Sequence, residues 1–515
     1  MSRTRSSSLI VPLLLLAVSC GGGKPAAGPA AADRPLVIAW DNAPANLDPR
    51  IGNDISSGRI CDLVHAGLIR VLPSGDYEGD LASSWETPDD RTIVFTLRDG
   101  LTFHDGRPLT SADVKFTYDS LMAPEFPSPK KSGYATVASI DTPDAKTVIF
   151  RLKEPNGGIF DNLTVGIVPV GADANVFKTK PIGAGPYRLV ENLPDERVSL
   201  EAFDAYHRGK PAIGRIDFRI IPDTTTRMLE LERGSVGLAI NSLPLDSVGK
   251  FESDPNLKVV SEPGSRWEYL AFNLEHPKLK NPLVRRAIAH AIDRERIVRD
   301  LLRGRAQIAD TMFPAGHWAR SEDVARHPYD KAEAKRLLDE AGFRDPDGDG
   351  PKTRFDLVYK TSLDMEANQR AEMIQQMLRE VGIGVEIRST EFAVFYDDIQ
   401  KGNFELFALR RGGISDPDFY YTIFHSKSVP PAGQNRGHYS NPEVDRLIEA
   451  GRATMDRAKR KAAYDGIQKI VSEELPYVSL YHLDNVAVVD RKLEGLKLHP
   501  SGFLDSLAKA KWAVK

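Results

Sequence analysis

A chain of 515 residues with 41% hydrophobic and 27% charged residues has the composition of a globular protein of more than one domain. Its formal net charge of −4 supplies no basic field for phosphates, which excludes nucleic acid as an expected partner. Beyond the N-terminal segment no apolar run is long enough to span a bilayer, so a membrane-embedded body is excluded as well.

Arg3 and Arg5 precede an apolar run from Leu9 to Val18, shorter than the roughly 20 residues of a spanning helix, and the segment reads as a signal peptide over residues 1–19. Cys20 follows the small Ser19 and resembles a bacterial lipobox cysteine, acylated to become the first mature residue. Ala17 stands where Leu is usual, and an ordinary cleaved signal with a stray cysteine is the alternative. Residues 20–35 read as a flexible tether, because Gly, Ala and Pro offer no apolar face to bury. With Cys20 acylated, Cys61 has no disulfide partner, and burial alone must hold the fold.

RTIVFTLRDG sets Ile93, Phe95 and Leu97 on one face, and TVIFRL does the same with Val148, Phe150 and Leu152, so both predict half-buried strands. Between them Thr110 and Asp113 mark a capped helix start. Asn281 and Pro282 begin a predicted helix that runs to Gly304. Asp330 with Glu333, and Ser440 with Glu443, predict two further capping boxes; the stripe Ala371, Ile374, Met377, Leu378 and Val381 precedes a strand from Gly384 to Ile387. Strands alternating with capped helices imply an α/β architecture.

The common catalytic and cofactor motifs, G-x-S-x-G, H-E-x-x-H, G-x-x-x-x-G-K-[ST] and C-x-x-C, are missing. In PIGAGPYRL a strand pattern follows the glycines and Pro186 removes a donor amide, which favours a close backbone approach over a phosphate loop. Asp345, Asp347, Asp349 and Asp356 nearly match the spacing of a calcium loop. Pro351 at the seventh place, the short Asp356 and the lack of a following helix favour a plain turn, with structural calcium as the alternative and no other cofactor expected.

The blocks LASSWETPDDRTIVFTLRDGLTFHDGRPLTSADVKFTYDSL, PIGAGPYRL, LAFNLEHPKLKNPLVRRAIAHAIDRERIV, YDKAEAKRLLDEAGF and NRGHYSNPEVDRLIEA followed by ELPYVSLYH resemble the family 5 extracytoplasmic solute-binding proteins of ABC importers, from about Leu36 to the C-terminus. The resemblance implies an α/β fold of the type II periplasmic-binding-protein kind: two hinged lobes joined by crossing strands, with an inserted subdomain. Its expected divisions are 36–52 and 181–265 for lobe I, 53–180 for the insert, 266–484 for lobe II and 485–515 for the return to lobe I. It also implies a monomer that takes a peptide or peptide-like ligand between the lobes without covalent chemistry. The ligand passes to permease subunits from a lipid-anchored position in the periplasm or at the cell surface. A sensor on the same fold, a binder of a metal chelate or acidic metabolite, and an exported enzyme are the alternatives, the last disfavoured by the missing motifs.

In peptide-binding relatives an aspartate three residues before an Asp-Pro pairs with the peptide amine. Here Asp416-Pro417 supplies the Asp-Pro, Gly413 stands at the aspartate's place, and Arg410 and Arg411 lie nearby. A buried ammonium without a carboxylate costs several kcal/mol, whereas guanidiniums favour carboxylate or phosphate. The expected ligand therefore lacks a free amine at this loop, unless Asp416 serves by a shifted register; structural ion pairs are the alternative role for Arg410 and Arg411. Phe392 stands where dipeptide-binding relatives have a stacking Trp. Trp40, Arg266, Trp267, Tyr269 and Tyr439 are further expected cleft residues, with core packing the rival role for each aromatic.

Overall fold

The computed structural model describes residues 34–348 and 350–513; the signal peptide, Cys20, the tether up to residue 33 and Asp349 lie outside the described residues. The two alternating patterns form neighbouring strands, Thr92–Leu97 and Thr147–Leu152, inside a four-stranded antiparallel sheet with Ala82–Asp89 and Val137–Asp141. Helix Ser111–Met122 covers that sheet, started by the expected Thr110 and Asp113 capping box. Its Val114, Tyr118 and Leu121 join Phe95 and Phe150 in a core separate from the rest. This is the insert. Its start, expected at residue 53, moves: helix Ile55–Val64 buries Ile60, Leu63 and Val64 in the lobe I core, and the insert's own core begins at Ala66.

Both lobes share one 11-stranded sheet. In lobe I, Leu36–Trp40 runs parallel to Arg215–Ile220 and to Leu238–Ile240. In lobe II, Phe355–Ser362 runs parallel to Ile383–Thr390 and to Leu406–Arg411. Helices on both faces bury the apolar sides of these strands, as parallel sheets require. Two long antiparallel strands, Leu257–Phe272 and Tyr477–Asp490, pass through both halves.

Their ladder breaks in the middle. Glu262 opposes Asn485 and Arg266 opposes Leu483, so Pro263, Gly264 and Ser265 face Asp484 alone. The freed backbone groups bond elsewhere: the Ser265 amide donates to the Pro500 carbonyl and the Asp484 amide to the Arg305 carbonyl. Gly264 lies so close to the partner strand that a Cβ would stand 2.1 Å from the Leu483 carbonyl oxygen.

Helix starts follow the sequence with two differences. The helix from Asn281 stops at Ala291, because Asp293 caps a new short helix by accepting from the Arg296 amide. Asn441, not Ser440, caps Pro442–Arg452 by accepting from the Glu443 and Val444 amides. Asp330 caps Lys331–Glu340 as expected. In PIGAGPYRL a Cβ at Gly183 would stand 1.9 Å from the Val64 carbonyl oxygen, which is the close backbone approach read from the sequence.

Gly264→Ala should lower the urea midpoint by the equivalent of about 1–3 kcal/mol, the usual cost of overpacking. Gly249→Ala, where an added Cβ meets open space, should change it by no more than about 0.5 kcal/mol. Equal midpoints for the two variants would show that the strands at Gly264 separate without cost.

Candidate functional site

Parallel strands place their C-terminal loops at one edge, where open α/β sheets bind ligands. Trp40, Ile220 and Ile240 end the lobe I strands, while Ser362, Thr390 and Arg411 end those of lobe II. The two edges converge on the broken ladder: the Asn241 amide donates to the Val486 carbonyl, and Arg411 opposes Trp267. Between them lies about 630 Å³ of empty space, walled by Asn241 and Leu243 from lobe I, Glu366 and Arg410 from lobe II, and Arg266 and Asp484 from the crossing strands.

The charges of this cleft divide into paired and free. Buried Glu268 accepts from Arg410 Nε at 3.0 Å and faces Arg370 Nη2 at 3.1 Å, while Glu366 pairs with the other end of Arg410. Both ends of Arg410 are thus held in ion pairs while it lines the cleft. Arg266 donates to the Asp484 carbonyl at 2.9 Å and to Asn241 Oδ1 at 3.3 Å, with no carboxylate in ion-pair contact among the described residues. Burial first, and then the Arg410 charge, lower its pKa to about 10. Arg411 is exposed, lies over the Phe419 ring at 4.8 Å, and pairs with no described carboxylate.

Gly413 has a φ of +71° with open space where a Cβ would stand. Both Asp416 oxygens hold Arg460, at 2.6 and 3.0 Å, with both side chains 6% exposed. Oδ1 also accepts from the Asp418 amide, capping the turn.

Strand alternation separates three residues expected to point together. Arg266 faces the cleft, but Trp267 and Tyr269 are buried and lie in lobe II packing, stacked on each other at 4.4 Å, with Tyr269 on Tyr477 at 4.8 Å. Tyr439 is buried nearby and donates to Glu474 Oε2. Trp40 packs edge-on to Phe218 in lobe I, and its indole donates to Ser56 Oγ at 2.7 Å. All four are buried, and Trp267 also lines a second empty space with Tyr420, Phe424 and Tyr477. Phe392 is 55% exposed beside Tyr396.

In the segment after Phe343, read as a plain turn with calcium as the alternative, Asp345 Oδ1 accepts from the Asp347 and Gly348 amides and Asp347 Oδ2 from the Lys352 amide. Asp356 lies on the following strand. Among the described residues no group of three or more His, Cys, Asp or Glu is placed to hold a metal ion.

Local sequence patterns missed the contacts that join the insert to lobe II. Ser415 Oγ donates to Asp161 Oδ1 at 2.5 Å, the Gly157 amide to the Arg452 carbonyl and the Trp318 amide to the Ser74 carbonyl, while Arg457 pairs with Asp76. Burial raises the Asp161 pKa to about 6, opposed by the Ser415 hydrogen bond and reinforced by Asp416. When the lobes part and water reaches Asp161, its pKa falls toward the ordinary value of about 3.9. The joined form then binds the extra proton, so its stability is gained below about pH 6 and lost as pH rises through that value. Intrinsic-rate-corrected exchange protection of the Gly157 and Trp318 amides should therefore be higher at pH 5 than at pH 7 in the wild type and clearly less pH-dependent in Asp161→Asn. Equal pH dependence in both proteins would contradict this.

Residues 76–430 match the model of the bacterial extracellular solute-binding proteins, family 5. The chain is 31% identical to a Brucella ovis protein named as an ABC transporter peptide-binding protein, over 85% of each chain. It is 27% identical to the oligopeptide-binding protein AppA of Bacillus subtilis over 99% of this chain and 98% of AppA. The structure of AppA in complex with a nonapeptide aligns with a TM-score of 0.74 at 26% identity, covering 94% of this chain and 99% of that one. The structure of NikZ from Campylobacter jejuni in complex with Ni(L-His) aligns equally well, with a TM-score of 0.75 at 26% identity over 93% of this chain and 99% of that one.

Proposed function

The chain belongs to the bacterial extracellular solute-binding proteins, family 5, and from that membership we propose that it captures a peptide or peptide-like solute between its lobes and delivers it to an ABC importer. The observation that carries this reading is the convergence of two sets of strand ends on one broken ladder. The cleft is built from both lobes, so a ligand touching both walls favours the joined form by the difference between its contacts in the two states. No bond of the ligand has to be made or broken, and the reading is of a binding protein and not an enzyme.

The ligand presents no free ammonium to the loop at residues 411–416. Gly413 supplies no carboxylate there, Asp416 is consumed by Arg460, and the exposed charge at the loop is the Arg411 guanidinium. Among the described residues no helix is long and apolar enough to cross a membrane, and we assign attachment to an acyl group on Cys20, with residues 21–35 as tether. Tethering keeps the body at high effective concentration near its transporter.

Asp is among the side chains best tolerated at positive φ, and open space awaits it at position 413. Gly413→Asp should therefore raise the affinity for free-amine dipeptides by roughly tenfold, the yield of one charge-assisted hydrogen bond, as measured by calorimetry. Wild-type protein that already prefers free-amine to N-acetylated dipeptides would contradict the assignment. Cys20→Ser should move the protein from the membrane to the soluble fraction; retention in the membrane would contradict the anchor.

A further inference from the structure

Ten large apolar side chains are exposed among the described residues, and four of them follow the ends of two adjoining lobe II strands. Leu363 and Met365, 60% and 68% exposed, directly follow the strand Phe355–Ser362. Phe392 and Val394, 55% and 53% exposed, follow its neighbour Ile383–Thr390. Ser362 and Thr390 are register partners, so the four side chains belong to adjoining strand ends. On the lobe I side Ile55, 76% exposed, precedes Ser56, whose hydroxyl binds the indole at the end of the first strand.

Exposed carbon in this density is unfavourable unless something covers it. The lobes do not: the insert already touches lobe II through Ser415 and Asp161, and the five side chains stay exposed. The charge beside the patch indicates the occupant. Strand Leu406–Arg411 adjoins Phe355–Ser362 on the side away from Ile383–Thr390. The ends at Arg411, Leu363 and Phe392 therefore lie on three successive strands, about 10 Å across at roughly 4.8 Å per strand. One end of that row is an unpaired guanidinium and the other is apolar.

We propose that the cleft takes an apolar peptide, its terminal carboxylate on Arg411 and its side chains across Leu363, Met365, Phe392 and Val394. This rests on the reading of the cleft as the ligand site and adds the ligand's polarity and orientation. A carboxylate accepts two parallel N–H bonds from a guanidinium, which an amide cannot reproduce.

Calorimetry on the full chain tests it with three probes: acetyl-Leu-Phe-Leu as the free acid, the same peptide as its C-terminal amide, and acetyl-Ser-Gly-Ser as the free acid. The apolar acid should bind at least about tenfold tighter than either of the others, the yield of one charge-assisted pair or of burying about two methylene groups. Arg411→Gln should erase the acid–amide difference, and the exposed double variant Met365→Ser with Phe392→Ser should shrink the apolar–polar difference several-fold, both with unchanged urea midpoints. Indifference of affinity to amidation and to the patch substitutions, with peptides still bound, would overturn this inference alone and leave the patch to a different partner such as the transporter. Failure of all three peptides and of free-amine dipeptides to bind would overturn the peptide reading and this inference with it.

Discussion

Two antiparallel strands are the covalent thread on which the lobes hang, and the point where they stop pairing with each other governs the rest of the molecule. On either side of Pro263–Ser265 the ladder between Leu257–Phe272 and Tyr477–Asp490 resumes, with one smaller register shift between Glu268 and Tyr269 on the lobe II side, and is locked into a lobe by neighbouring strands. In the gap, the backbone groups of Ser265 and Asp484 bond to segments that belong to opposite lobes. A rotation of one lobe against the other therefore has a place to occur that leaves the sheet of each lobe intact. Because the parallel strands of both lobes end toward that gap, the cleft and the hinge are one feature seen from two sides.

Electrostatics then divides the labour. Bringing guanidiniums and carboxylates out of water is tolerable only when each finds a partner, and Glu268 finds two, tying the crossing strand to a lobe II helix through Arg370 and to a lobe II strand through Arg410. Asp416 and Arg460 do the same for the loop after that strand. What is left over among the described residues, the exposed Arg411, Arg266 on neutral acceptors and the Asp484 carboxylate held only by Ser261 and Gln307, is the charge available to a solute. The family's ligands differ widely, as a nonapeptide and Ni(L-His) on similar scaffolds attest. Specificity must therefore come from residues such as these and not from the fold.

Period-two patterns and helix starts with their caps were legible because they depend on neighbours in sequence: the insert strands, the helix starts at Thr110, Asn281 and Asp330, and the tight glycines of PIGAGPYRL all stand as read. Where two capping residues competed, at Ser440 and Asn441, Pro442 at the first helical position marked Asn441 as the cap, a signal the Ser-x-x-Glu spacing overrode, and a single buried periodicity concealed the break at Asp293. The site was legible only in part. Alternation along RWEYLAF already implied that Arg266 and Trp267 point to opposite faces, a signal the family resemblance overrode. The pairing of Asp161 with Ser415 spans 254 residues, and the exposed Leu363 and Met365 look like any helix entry until the strand order places them beside Arg411.

The central claim is that the lobes close reversibly on a solute. Small-angle X-ray scattering of the purified full chain through a titration with a peptide that calorimetry shows to bind tests it most directly. The account predicts a radius of gyration that falls saturably with occupancy and recovers fully on dialysis, with the peptide returned intact. A scattering curve that stays unchanged at full occupancy would contradict it.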